Sequence, residues 1–193
     1  MTVPESFAFD LETLNTKSDK IGWPEYKQIA GVSVLCTVDL ETMAPAFFTT
    51  GDINDFGLET IARGISMAKE IVSYNGRDFD IPVLEAAIER TIPVMCHVDL
   101  WQCIREATRD MRGRYGKGDW TLDRVCKGTL RSRKLLNDGV YAPLKWREGR
   151  IGEVTTYCWK DSWLTAQLYQ FIQKYGYVVD PHGRTIQVDL FPC

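Results

Sequence analysis

Asp10 and Glu12 stand two residues apart in a short apolar run, so a strand there projects both carboxylates from one face. Two adjacent carboxylates repel, and hard, oxygen-seeking cations such as Mg²⁺ or Mn²⁺ are the natural compensation. An ordinary strand end can carry the same pair, and Asp-x-Glu alone does not separate the two. A second pattern, Tyr74-Asn75-Gly76-Arg77-Asp78-Phe79-Asp80-Ile81-Pro82, follows another strand-like run. Asn-Gly turns the chain sharply, Phe79 can enter the core, and Asp80 falls where a helix should begin, placed to meet a cation or to cap that helix. Capping explains Asp78 better than Asp80. In a third pattern, Tyr157-Cys158-Trp159-Lys160-Asp161, a spacing of four puts Tyr157 and Asp161 on one helical face a turn apart. Leu164 and Leu168 continue that face, so Asp161 lies at the edge of an apolar stripe, a costly place for an unpaired charge. A chance meeting on a boundary helix is the alternative.

The elements that must position these groups follow from periodicity. Residues 6–11, 29–38 and 45–49 read as strands forming an antiparallel meander. Phe56, Leu58, Ile61, Ile65 and Ala68 then mark one face of a helix. Strands at 70–74 and 94–98 alternate with helices at 81–90 and 100–111, and a short helix is expected at 122–130. Residues 112–119 read as a flexible loop and the basic stretch after 130 as irregular. A long helix over 153–175 stops at Gly176, and Asp180-Pro181-His182-Gly183 signals a turn that would make 177–193 a terminal hairpin. The expected fold class is α/β, a mixed five-stranded sheet of three antiparallel strands followed by alternating helices and strands. We expect one domain over residues 1–193.

The net charge of −3 hides an asymmetry: residues 105–150 hold thirteen Lys or Arg against six Asp or Glu, and the remainder ten against twenty. Phosphates would be drawn to the first region while carboxylates are reserved for metal in the second, although a basic stretch is also what a solvated face looks like. The composition, 45% hydrophobic and 25% charged, excludes disordered, collagenous and membrane classes. No apolar run approaches a bilayer span and the opening residues lack the order of a signal peptide, so an intracellular, cytoplasmic protein without a membrane partner is expected. Six cysteines without a CxxC pair read as reduced thiols, and two histidines offer little to zinc.

The three patterns, FDLET, YNGRDFDIP and YCWKD, resemble in order the three exonuclease motifs of the DEDDy 3′-to-5′ exonucleases, whose fold is ribonuclease H-like. They are similar in particular to the proofreading domains of family B DNA polymerases, a resemblance that covers about residues 5 to 175. It implies that Asp10, Glu12 and Asp161 hold one divalent cation, that Asp10 also reaches a second supported by Asp80 through water, and that Tyr157 orients the attacking water. The two cations would be Mg²⁺ or Mn²⁺. The related branch with histidine carries it five residues before the last Asp, where this chain has Thr156. The implied substrate is the 3′ end of single-stranded nucleic acid, DNA before RNA, and the implied partner a polymerase or another replication or repair protein. An exoribonuclease and a binding module without catalysis are the competing readings. Substrate contacts are expected from Thr13, Trp23, Asn75 and Phe79, with Trp23, Pro24 and Tyr26 on a loop. Arg112, Arg114 and Lys117, with Tyr115 and Trp120, would close over the backbone. Trp101, Trp159, Trp163, Tyr169 and Phe171 are assigned to the core.

Overall fold

The alternation of strand β1 (Ser6–Thr13) organises the molecule. Phe7, Phe9 and Leu11 point to one side of the sheet and join one apolar core, while Ala8 points to the other side and joins a second. Asp10 and Glu12 therefore share Ala8's side. The structure, a computed structural model, describes residues 4–18, 20–49, 55–111, 115–116, 118–135 and 141–191; of residues 55 and 56 it describes the backbone alone.

β1 pairs antiparallel with β2 (Val32–Asp39), which pairs antiparallel with β3 (Pro45–Thr49). On its other edge β1 runs parallel to β4 (Glu70–Ser73), itself parallel to β5 (His97–Asp99), giving the order β3-β2-β1-β4-β5. This is the mixed five-stranded, ribonuclease H-like sheet expected from the sequence. Pairing of β1 with β4 ends at Ala8↔Val72, so the carboxylate end of β1 runs on beyond it.

Helices cover both faces. α2 (Asp55–Met67) and α3 (Asp80–Ala87) pack Ile61, Ile65, Val83 and Leu84 against Phe7 and Phe9. The face expected of α2 is buried at Ile61 and Ile65, and Phe56's side chain lies outside the described residues. On the other face lies α7 (Ile151–Tyr175), joined by α4 (Leu100–Ala107), α5 (Leu122–Thr129) and α6 (Tyr141–Arg147). Gly176, with φ 73°, ends α7 as expected. The tail forms the hairpin β6 (Tyr177–Val179) and β7 (Thr185–Gln187), its turn held by Asp180, which accepts from the backbone of His182 and Arg184 at 2.8 Å. Among the described residues no helix is long and apolar enough to cross a membrane.

Several expectations are corrected. Trp23, Pro24 and Tyr26 lie on a helix, α1 (Trp23–Ile29), rather than a loop. Proline fits a first helical turn, and Glu25 caps this one by accepting from Gly22 N at 2.8 Å. β2 consequently starts at Val32, after Gly31 has turned the chain at φ 60° with Leu14 packed against its α-carbon. The basic stretch expected to be irregular contains α6, and α7 begins two residues early. Trp101, Trp159, Trp163 and Phe171 are half-buried, the three tryptophans packing against the margin of the core, whereas Tyr169 is buried within it. Cys36, Cys103, Cys126 and Cys158 are free and buried, but the half-buried Cys96, outside the core that shelters those four, is disulfide-bonded.

Candidate metal centre

Three carboxylates converge on the α7 side of the sheet. Asp10 and Glu12 come from β1 and Asp161 from α7, and one oxygen of each lies within 4.8 Å of the others. α7 is locked in register over β1 and β2 by short polar contacts: the Cys158 thiol meets Asp10 O at 3.3 Å, and Ser162 Oγ donates to Cys36 O at 3.0 Å. Tyr157, one turn before Asp161 and 5% exposed, is presented beside the same carboxylates.

Asp80 arrives from the opposite face, at the first residue of α3. Its Oδ1 accepts from Leu11 N at 3.1 Å, supplying a partner to β1 beyond the point where β4 has ended. It therefore caps β1 rather than α3. The N-cap position of α3 belongs to Phe79, without a side-chain cap, and Asp78 is exposed, which corrects its assignment as a helix cap. The loop before Asp80 turns at Asn75, φ 68°. Gly76 must be glycine: a Cβ there would fall 2.6 Å from Ser73 Oγ and 3.2 Å from Asp80 Oδ2.

Burial and mutual repulsion make the cluster unfavourable as it stands. Asp10 and Glu12 are held well above the usual carboxylate range, first by burial and then by their acidic neighbours, Asp80 and Asp161 for Asp10 and Asp161 for Glu12. Burial also pushes Asp80 up to about 7 and Asp161 to about 6, the latter partly restrained by Lys134. Lys134 is one residue that sequence reasoning missed. Its ammonium pairs with Asp161 Oδ2 and lies 5.2 Å from the centre of the Tyr157 ring. Burial alone would lower the lysine's pKa, but Asp161, Tyr157 and Asp10 together hold it above its ordinary value. Its backbone N donates to Asp123 Oδ1 at 2.9 Å, fixing the segment that delivers it. One ammonium does not satisfy the cluster: Asp161 Oδ1 is buried without a hydrogen-bond partner among the described residues.

The expected substrate contacts divide. Trp23, 56% exposed, packs edge-on to Tyr26 and Phe79, whose rings stack with centroids 6.2 Å apart, making an aromatic group that leads to β1. Thr13 is buried with its hydroxyl engaged by Tyr26 OH at 2.9 Å and Asn15 O at 3.1 Å. Asn75 is half-buried at the turn, its N donating to Asp99 Oδ1 at 2.9 Å. Arg112, Arg114 and Lys117 lie outside the described residues. Asp99, a second residue the motifs did not reveal, is 2% exposed and accepts from Asn75, Arg77, Trp101 and Gln102, tying the Asp80 loop to the start of α4.

The model of the RNase H superfamily matches residues 7–117, more than half of the chain and including Asp10, Glu12 and Asp80. The chain belongs to the RNase H superfamily. This RNase H superfamily member is also similar in structure to the family B DNA polymerase from the hyperthermophilic archaeon Pyrobaculum calidifontis, with a TM-score of 0.63 and 18% identity. The match covers 87% of this chain and 24% of the polymerase, so the chain spans about a quarter of that protein's length. At that identity the likeness shows the fold. A comparison with curated proteins finds no match.

Proposed function

We propose that this RNase H superfamily member is a metal-dependent exonuclease that removes nucleotides one at a time from the 3′ end of single-stranded nucleic acid, DNA in preference to RNA. The observation that carries this reading is the meeting of Asp10, Glu12 and Asp161 within 4.8 Å, with Tyr157 one turn from Asp161 and Asp80 reaching the same strand from the other face. The donor set fits hard dications: all ligands are carboxylate oxygens, they repel one another, and one buried oxygen lacks a partner among the described residues.

Asp10, Glu12 and Asp161 would hold one Mg²⁺ or Mn²⁺, and Asp10 with Asp80 would support a second. When bound, the ions supply an activated water and neutralise charge on the departing 3′ oxygen. The chain's own work is positioning. The Tyr157 hydroxyl, kept protonated because burial first and then the neighbouring carboxylates hold it above its ordinary range, orients the attacking water. Lys134 balances part of the acidic charge and holds Asp161 in place. Trp23 and Phe79 offer ring faces and edges to the terminal base. The preference for DNA rests on the likeness to a DNA polymerase.

The test is incubation of the protein with 5′-labelled single-stranded DNA and RNA, each with and without Mn²⁺. A metal-dependent ladder shortening from the 3′ end is expected, stronger on DNA. Asp10→Ala should abolish the ladder while melting like the parent, because it removes a shared ligand and relieves repulsion. Internal cuts, shortening from the 5′ end, or full activity of Asp10→Ala would overturn the reading; a ladder on RNA alone would make the protein an exoribonuclease.

A further inference from the structure

A cleft of about 800 Å³ opens between α4 and Tyr115, Gly116 and Trp120, and none of the cluster's carboxylates is among its described lining. Its size falls in the roughly 300–1,000 Å³ range of ligand sites. Three aromatic side chains wall it: Trp101, Tyr115 and Trp120. Tyr115 and Trp120 pack with ring centroids 4.7 Å apart, and the Arg105 guanidinium lies 4.5 Å from the centre of the Trp101 ring.

The walls are braced. Tyr115 OH donates to Asp180 Oδ2 at 2.8 Å, and Trp120 O accepts from Tyr74 OH at 2.7 Å. Asp99 accepts from Trp101 N at 3.1 Å and from Arg77 N at 3.0 Å, so one buried carboxylate fixes both the start of the cleft wall and the loop that delivers Asp80. Asp78, on that loop, also lines the cleft. The cleft and Asp80 are thus connected through one loop.

We propose that this cleft is a second single-strand site, which takes the bases of the nucleic acid several nucleotides upstream of the scissile bond and rests on the exonuclease reading above. The charges along it define how it binds. Among the described lining residues Arg105 and Arg109 stand with Asp78 and Glu106, and Arg109 pairs with Glu106, so these four charges balance. Recognition here comes from stacking on Trp101 and Tyr115, with Arg105 adding a cation over the same ring system, rather than from a ladder of phosphate contacts. Such a site tolerates any base, and losing a stacking ring from it changes affinity without changing the number of counterions released.

The test measures anisotropy of 5′-fluorescein oligothymidylates of two to ten nucleotides, in Ca²⁺. Affinity should rise with length. Trp101→Ala and the exposed Arg105→Ala should each weaken binding of the longest oligomer by about tenfold, the scale of one stacked base, and Trp101→Ala, which removes no charge, should leave the slope of log affinity against log salt unchanged. Because Trp101→Ala removes a half-buried ring, the parent protein is also photocrosslinked to oligomers carrying 5-iodouridine at successive positions. Upstream positions should label Trp101 or Tyr115. Variants that bind as the parent does, or crosslinks confined to Trp23 and Phe79, overturn the cleft. Should the parent cut nothing yet show the length dependence and the upstream crosslinks, the cleft stands and the exonuclease reading falls.

Discussion

Tyr157 and Asp161 are presented by one helix to one point, yet chemistry divides them. Asp161→Asn should remove activity together with one metal, since an amide is a poorer ligand for a hard dication. Tyr157→Phe should keep the metal and lose on the order of 10² in rate, the lower end of what a positioning or proton-handling group contributes. Single-turnover cleavage at saturating Mn²⁺, with calorimetric titration of Mn²⁺, separates the two; a Tyr157→Phe enzyme at the parental rate makes the tyrosine a packing residue. Lys134 offers the converse experiment. Its ammonium already pairs with Asp161, so Lys134→Met should tighten Mn²⁺ binding by removing a competing charge while lowering the melting temperature of the metal-free protein. Weaker Mn²⁺ binding in that variant would mean that the lysine organises the ligands rather than competing for them.

The elements matter through what they brace. The turn at residues 74–79 carries no regular structure of its own, and four backbone donors to Asp99 join it to α4. Gly76→Ala would drive a methyl group against Ser73 and Asp80 and should cost about 1–3 kcal/mol in stability with a larger loss of activity, read from urea unfolding and cleavage together. Arg112, Arg114 and Lys117 call for a different test. Replacing all three by Ala should flatten the salt dependence of single-strand binding by about 2 in slope, and an unchanged slope would mean that these cations meet solvent rather than phosphate. The motif carboxylates were legible because each is fixed by a short-range rule: alternation on β1, the turn before α3, the four-residue spacing on α7. Lys134 was not, since it is one cation in the run Arg131-Ser132-Arg133-Lys134 and its partner comes from a different element. α1 and α6 were missed because both contain proline, which reads as a breaker although α1 tolerates it in its first turn.

At the scale of the molecule, the acidic cluster stands at the seam of two cores. Asp161 rides on the helix that closes one, Asp80 starts the helix that closes the other, and β1 runs between them. Asp80 and Asp161, raised to about 7 and 6 from an ordinary 3.8, hold protons in the folded state that the unfolded chain has released. The stability of the metal-free protein should therefore fall as pH rises from about 4 through 7. Mn²⁺ at a hundredfold excess over its dissociation constant should raise the melting temperature by roughly 5–10 °C at pH 8 and far less at pH 5, where protons occupy the ligands. Thermal melts across that range, with and without Mn²⁺, decide it; an equal rise at both pH values would place the ion elsewhere. The seam also sets how the two halves of the protein communicate. Because ligands from both sides and from the strand between them would have to separate to release the ion, neither layer could peel away alone without releasing it. In amide hydrogen exchange, added Mn²⁺ should slow the most protected protons of α7 and of α2 and α3 by the same factor, and Leu11, whose N–H is held by the Asp80 side chain rather than by a neighbouring strand, should slow with them.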